Sequence, residues 1–154
     1  MPAARTIEEP TRSQPDFDAA VEAFREALEP YLHGDPTAVT ALVSRRDDVT
    51  LANPLGPPRR GPVDVDMAIA EGAAQLRDGG VRQFEEISRF STPELGYVVQ
   101  IERTQARLAG GEHITPLALR VTIIFRREGD AWRIVHRHAD PITTSRPITT
   151  TIDA

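Results

Sequence analysis

Cysteine is absent from the 154-residue chain. Its absence excludes disulfides, thiolate metal ligands and cysteine nucleophiles. Long apolar runs are also missing, and the ones present are far too short to cross a bilayer. Residues 1–10 are polar and lack the apolar core of a signal peptide. We therefore expect no membrane partner, and we take the cytoplasm as the expected location.

Basic residues are fewer than acidic ones. The chain has 18 Lys and Arg against 23 Asp and Glu, a formal net charge of −5. Binding to nucleic acid requires a basic surface that neutralises phosphates, so we expect no nucleic-acid partner. Hydrophobic residues make up 40% of the chain, which is enough for a core, and the length suits one domain.

The sequence pattern divides the chain into three segments. Residues 1–15 hold three prolines without hydrophobic periodicity, and we predict a flexible N-terminal arm. Residues 16–140 carry the periodic patterns of a folded domain. Residues 141–154 form a C-terminal tail in which "PITT" occurs twice. The tail is interpreted either as a polar segment or as a short β-like arm laid on a partner subunit.

Helical patterns fill the first part of the domain. An apolar stripe with helical spacing predicts a helix, and its members are Phe17, Val21, Phe24 and Leu28. Pro30 should kink or end this helix. Residues 35–45 predict a short second helix. Residues 62–80 predict a third, with Gly79 or Gly80 as its stop.

Strand patterns fill the second part. After a short strand near residues 49–51, the segments rich in Val, Ile, Thr, Phe and Tyr are 81–92, 95–108, 115–127 and 131–139. Gly-containing turns at 109–112 and 128–130 predict hairpins. Helices followed by an antiparallel meander indicate an α+β fold, with helices on one face of a curved sheet. The apolar alternation in 117–125 predicts core or subunit interface, and with it a homodimer.

Two histidines lie near the end of the last predicted strand. A regular strand places His136 and His138 on the same face as Trp132. An ordinary pKa near neutrality makes either imidazole a candidate general acid or base. Two imidazoles can also bind a metal, but a zinc site needs about three or four protein ligands, so we expect no metal and no cofactor. The alternative is that the histidines form structural hydrogen bonds beside Trp132.

Arg120 lies in mid-strand among apolar neighbours. A guanidinium cannot lose its proton there, so it needs an acceptor. Glu102 lies midway along the paired strand. Two interpretations remain: a cross-strand Glu102–Arg120 ion pair, or two side chains that line a pocket. In the second case Arg120 would stabilise developing enolate charge, and Glu102, Asn53, Trp132 and Tyr97 would contact the ligand.

The order of these elements resembles the nuclear transport factor 2-like superfamily, in particular its SnoaL-like and ketosteroid-isomerase-like branch. The segments that carry the resemblance are "VTLANPLGPPRRG", "YVVQIERTQARLAGGE" and "LRVTIIFRREGDAWRIVHRHADP". The resemblance implies a cone: a curved antiparallel sheet wrapped round a pocket, closed by three N-terminal helices and paired into a homodimer. It also implies an apolar, oxygen-bearing ligand such as a polyketide or steroid. The protein would act on it as an acid/base isomerase, cyclase or hydrolase, or would be a non-catalytic ligand-binding or association domain.

The same strands resemble the association domain of calcium/calmodulin-dependent kinase, where arginines line the pocket. Arg120 matches one of those positions, whereas Glu102 and Ala139 stand where two others would be arginine. His138 and Asp140 resemble in type the acid/base pair of SnoaL-type polyketide cyclases. Ketosteroid isomerases use one Asp as a base and a protonated Asp as an oxyanion donor, and neither Asp has a counterpart inside the predicted strands.

Overall fold

The computed structural model describes residues 15–153. In chain order its elements are α1 (Pro15–Leu32), α2 (Thr37–Thr40), β1 (Thr50–Ala52), β2 (Arg59–Arg60), α3 (Pro62–Ala73), β3 (Leu76–Ser91), β4 (Leu95–Leu108), β5 (Ile114–Glu128), β6 (Ala131–Asp140) and a 3-10 helix (Ile148–Thr151). The predicted arm lies outside the described residues, apart from the first residue of α1. No helix in the described part is long and apolar enough to cross a membrane.

The six strands form one sheet in the order β2–β1–β6–β5–β4–β3. Strands β3 to β6 follow one another as the predicted antiparallel meander. Strand β1 runs parallel to β6, so the sheet is mixed rather than wholly antiparallel. A parallel neighbour requires a long connection, which the chain between β1 and β6 supplies. Three helices beside this curved, unclosed sheet confirm the predicted α+β class.

The core lies between α1 and one face of the sheet, here called the inner face. The predicted stripe of α1 is buried, namely Phe17, Val21, Phe24 and Leu28. Val98 of β4 and Val121, Ile123 and Phe125 of β5 meet it from the sheet. Phe17 packs edge-on against Phe125, with ring centroids 5.4 Å apart. Burial of each such side chain contributes about 1.5–3 kcal/mol, and this holds α1 on the sheet.

Pro30 does not end α1, which continues to Leu32. Proline removes one backbone donor, but its carbonyl still accepts hydrogen bonds. The Pro30 carbonyl accepts from the amides of His33 and Asp35, each at 3.0 Å. The last turn of the helix therefore persists, and Tyr31 belongs to α1.

Helix α2 spans only Thr37–Thr40, although the pattern predicts residues 35–45. Beyond it the amides of Leu42 and Val43 still make hydrogen bonds at the tighter i→i−3 spacing, and the chain then bonds to β6. The amide of Ser44 donates to the Ile134 carbonyl at 2.9 Å, and the Ile134 amide donates to the Leu42 carbonyl at 2.9 Å. These bonds replace the ones that a longer helix would have made.

Helix α3 also ends early, at Ala73, and Leu76 already begins β3. The predicted stop at Gly79 or Gly80 is therefore wrong, since both glycines lie inside β3. A Cβ on Gly79 would come within 2.7 Å of the Leu32 carbonyl oxygen. This glycine lets the strand approach the end of α1 closely, as glycine inside a strand often does.

Strand β6 contains a bulge. Phe125 pairs with Ile134, and Ile124 pairs with His136, so Val135 has no partner of its own across the ladder. An extra residue in one strand interrupts the alternation of its side chains between the two faces.

The bulge reverses the predicted faces at the end of β6. A regular strand would place His136 and His138 on the face of Ile134. In the structure Arg137 and Ala139 share the inner face with Ile134, where Ala139 is 2% exposed. Both histidines lie on the opposite, outer face.

Candidate ligand-binding cavity

A cavity of about 550 Å³ lies between the inner face and the helices. Among its lining residues in the described part of the chain, only Glu102 and Arg137 carry a charge. Its apolar wall includes Phe24, Leu28, Val65, Ile69, Leu119 and Ile134. Cavities of about 300–1,000 Å³ with mostly apolar walls and few polar groups are typical small-molecule sites.

Glu102 and Arg137 form a bidentate ion pair across the inner face. Arg137 Nη2 donates to Glu102 Oε1 at 2.7 Å, and Arg137 Nη1 donates to Oε2 at 2.9 Å. Gln100 Nε2 adds a third hydrogen bond to Oε2 at 3.0 Å. The guanidinium of Arg137 lies 5.2 Å from the centroid of the Phe24 ring. Burial alone would lower the pKa of Arg137, but the charge and hydrogen bonds of Glu102 outweigh it and raise that pKa.

Arg137 retains donors beyond this pair. A guanidinium has five N–H groups, and the pair with Glu102 uses one on each terminal nitrogen. Its side chain is 16% exposed and lines the cavity. The remaining N–H groups are thus in a position to bind an acceptor there.

Tyr31 brings a phenol to the same end of the cavity. A Cβ on Gly72 of α3 would collide with the Tyr31 hydroxyl, so this glycine provides the space for it. Burial raises the pKa of Tyr31, and of the two nearby charges Arg137 lowers it and Glu102 raises it. The phenol is therefore neutral at neutral pH and can donate a hydrogen bond. Within residues 15–153 its hydroxyl forms no hydrogen bond.

Polar side chains also lie elsewhere on the cavity wall, namely those of Thr50, Asn53, Gln75 and Thr104. Asn53, predicted to contact a ligand, does line the cavity, and its Oδ1 accepts from the amide of Leu55 at 3.0 Å. Leu55 is 63% exposed, so this part of the wall reaches the surface. Glu102 is the second predicted ligand contact that lines the cavity.

The predicted Glu102–Arg120 pair is wrong. Arg120 pairs across the sheet with Ile101, and Glu102 pairs with Leu119. Because side chains alternate with a period of two, this offset of one residue places Arg120 on the outer face. Arg120 instead bonds Asp140 there, with Nη2 to Oδ2 at 2.7 Å and Nε to Oδ1 at 3.0 Å. Arg120 does not line the cavity, and the catalytic role predicted for it remains untested.

The two histidines also lie away from the cavity. Thr50 Oγ1 and His136 Nδ1 are 2.7 Å apart, and His138 Nε2 lies 3.2 Å from Asp140 Oδ2. Burial, and then repulsion from His138, lower the pKa of His136. His136 thus has a structural hydrogen-bond partner and His138 lies beside a carboxylate, and neither contact involves Trp132. Their predicted acid/base role is untested.

Trp132 and Tyr97 lie outside the cavity as well. Trp132 packs against Phe17 at 5.2 Å between ring centroids, and its Nε1 donates to Asp16 Oδ2 at 3.2 Å. Tyr97 lies on the outer face, 5.9 Å from the ring of Phe90. Neither residue lines the cavity, so the ligand contacts predicted for them have no support from their place in the structure.

Arg137 and Tyr31 are two cavity residues that the sequence pattern does not predict. Tyr31 continues the stripe of α1 at the spacing of Phe24 and Leu28, a signal hidden by the expectation that Pro30 ends the helix. Arg137 is assigned to the wrong face because the bulge in β6 leaves no signal in the alternation. Among the described residues, no group of three or more His, Cys, Asp and Glu side chains is arranged to hold a metal ion.

The family profile of the SnoaL-like domain matches residues 19–143. The chain belongs to the SnoaL-like domain family. This confirms the resemblance inferred from the strand segments. No curated protein matches the chain.

Solved structures share the fold. An NTF2-like family protein of Streptomyces avermitilis, provisionally described as a dehydratase, is 22% identical with a TM-score of 0.69, covering 84% of this chain and 95% of that one. A ketosteroid isomerase-like protein of Erwinia carotovora atroseptica is 17% identical with a TM-score of 0.68, and the match covers 84% of this chain and 95% of that one. A protein of Thiobacillus denitrificans, provisionally described as a calcium/calmodulin-dependent protein kinase type II association domain, is 28% identical with a TM-score of 0.61. The match covers 88% of this chain and 100% of that one. At these identities the likeness concerns the fold.

Proposed function

We propose that this SnoaL-like domain binds a neutral, largely apolar small molecule that carries an oxygen acceptor at its inner end. The observation that carries the proposal is the cavity of about 550 Å³ whose two charged lining residues, Glu102 and Arg137, neutralise each other. A ligand carboxylate would have to compete with Glu102 for the same guanidinium. A neutral carbonyl or ether oxygen can instead accept from the spare donors of Arg137 and from Tyr31.

Binding without turnover is the form of this proposal that the geometry supports best. Three donors already bond the two oxygens of the Glu102 carboxylate, so a ligand proton would have to displace one of these hydrogen bonds. Isomerase, cyclase or hydrolase chemistry would need a general base within reach of the ligand. The histidines predicted for that role lie on the outer face.

The test compares two probes of one shape, a naphthyl methyl ketone and ethylnaphthalene, by calorimetry. We expect the wild type to bind both and to prefer the ketone. Arg137→Met and Tyr31→Phe should each reduce that preference, by about three- to tenfold for the loss of one hydrogen bond. Tyr97→Phe is the matched control, because it removes a phenol from the outer face. A wild type that binds neither probe would refute the proposal.

We also propose that two copies pack through the outer face of the sheet. Phe90 and Tyr97 are 38% and 37% exposed there, although both are large and partly apolar. The Thiobacillus denitrificans neighbour is described as an association domain. Light scattering should give a dimer mass at micromolar concentration, and Tyr97→Glu should lower it because a charge would be buried between the copies.

A further inference from the structure

A buried glutamine links the cavity to the surface. The Gln100 side chain is fully buried. Its Nε2 donates to Glu102 Oε2 at 3.0 Å, and its Oε1 accepts from Arg25 Nε at 3.1 Å and from Arg25 Nη2 at 2.8 Å. Arg25 does not line the cavity. It therefore reaches the Glu102–Arg137 pair through one intervening side chain.

The orientation of the Gln100 amide is fixed from both sides. A guanidinium can only donate hydrogen bonds, and an ionised carboxylate can only accept them. A flipped amide would set its NH₂ group against Arg25 and its oxygen against Glu102, and both contacts would be repulsive. Arg25 thus determines which end of Gln100 faces the carboxylate.

We propose that Arg25 is a positioning residue for the ligand cavity. Acting through Gln100, it holds the Glu102 carboxylate in the orientation that aligns Arg137 and leaves its spare N–H groups facing the ligand oxygen. The inference rests on the proposed function, but it concerns a residue that does not touch the ligand. Its effect should appear only with ligands that carry the oxygen.

Arg25 is itself anchored from several directions. Its Nη1 lies 3.2 Å from Glu22 Oε1, and its Nη2 lies 2.9 Å from Glu86 Oε1. Its guanidinium also lies 5.0 Å from the centroid of the Phe84 ring. These partners lie on both α1 and β3, and together they keep the guanidinium in place, as a positioning residue requires.

Arg89 offers a matched control in the same surface network. Its side chain is 15% exposed, as is that of Arg25. Arg89 Nη2 bonds Glu86 Oε1 at 2.6 Å, and Arg89 Nη1 bonds Asp18 Oδ1 at 2.9 Å. Within residues 15–153 it forms no hydrogen bond with Gln100. Replacing it removes an equally buried arginine but leaves the connection to the cavity intact.

The experiment measures the affinities of the naphthyl methyl ketone and of ethylnaphthalene for the full-length chain. Arg25→Met should weaken ketone binding by about three- to tenfold, the range of a single hydrogen bond, and leave ethylnaphthalene binding unchanged. Arg89→Met should change neither affinity. Arg25→Lys keeps a cationic donor for the Gln100 oxygen and should retain most of the ketone preference.

The proposal is overturned if folded Arg25→Met keeps the wild-type ketone preference, or if Arg89→Met loses it equally. If circular dichroism shows that Arg25→Met does not fold, Gln100→Leu replaces it, and an undiminished ketone preference in Gln100→Leu overturns the proposal. A wild type that binds neither probe, or both equally, refutes the proposed function. A wild-type preference that is insensitive to Arg25 and Gln100 refutes only the positioning role.

Discussion

Two ion pairs of similar geometry lie on opposite faces of the sheet, one between β4 and β6 and the other between β5 and β6. On the inner face, Glu102 and Arg137 are 3% and 16% exposed. On the outer face, Arg120 is 51% exposed beside Asp140 at 17%. Water and salt screen the outer pair, so its net contribution to stability is small. The inner pair carries a desolvation cost that a pair of apolar residues would avoid, which favours a role for it in the cavity.

The largest expected effect tests whether the inner and the outer ion pair differ in their contribution to stability. Glu102→Gln leaves the Arg137 charge buried without its partner, because a guanidinium cannot lose its proton. We expect the free energy of unfolding to fall by about 3–5 kcal/mol in urea denaturation. Arg120→Met on the outer face should leave the unfolding midpoint nearly unchanged. Equal effects of the two replacements would contradict the distinction between the faces.

The fold could be predicted largely from the pattern of apolar residues. The stripe of α1 and the alternation in β5 survive in the structure because each buries a continuous row of side chains. The boundaries that failed lie where tertiary contacts compete with local preference. Residues 42–44 bond to β6 instead of extending α2, and Gly79 serves a close approach to α1 instead of a helix end.

The site could be predicted only in part. Glu102 and Asn53 can be predicted because a polar side chain in an apolar strand or beside a Pro- and Gly-rich loop is conspicuous in sequence. Arg137 cannot be placed from the sequence, because the extra residue Val135 decides which face it takes, and a bulge changes neither the composition of a strand nor the alternation of residue types along its sequence. The face of Arg120 cannot be predicted either, because the register between β4 and β5 depends on the whole sheet.

A second prediction removes both charges of the inner pair at once. In Glu102→Leu/Arg137→Met no buried charge is left without a partner, although the buried Gln100 amide loses its acceptor. The free energy of unfolding should therefore recover to within about 1–3 kcal/mol of the wild type. Binding of the naphthyl methyl ketone should nevertheless weaken. Urea denaturation and calorimetry on one preparation check both statements. A double variant as unstable as Glu102→Gln would show that the pair is needed for the fold itself.

A smaller effect is expected at Gly72, which faces the Tyr31 hydroxyl from α3. Alanine is favoured over glycine inside a helix by about 1 kcal/mol, but its Cβ would collide with that hydroxyl. Gly72→Ala should therefore destabilise the wild type and stabilise the Tyr31→Phe variant by up to about 1 kcal/mol. Thermal unfolding of the four proteins in this double-mutant cycle measures the difference. The same sign in both backgrounds would contradict the contact.

The smallest expected effect concerns pH on the outer face. Burial, and then repulsion from His138, lower the pKa of His136 below its ordinary value of about 6.5. The unfolded chain therefore binds this proton more readily than the folded one. The stability linked to His136 is fully present above the ordinary pKa, and it is lost as the pH falls through that value toward the lower pKa of the folded state.

His136→Gln removes this titration and keeps a polar side chain beside Thr50, whose Oγ1 lies 2.7 Å from the imidazole. The unfolding free energy of the wild type should therefore fall more steeply than that of the variant between about pH 7.5 and pH 5.5. His138→Gln is the matched control, since it removes a more exposed imidazole from the same face and should raise the pKa of His136 by ending the repulsion. Parallel pH profiles for the wild type and His136→Gln would show that the folded state protonates this imidazole as easily as the unfolded chain does.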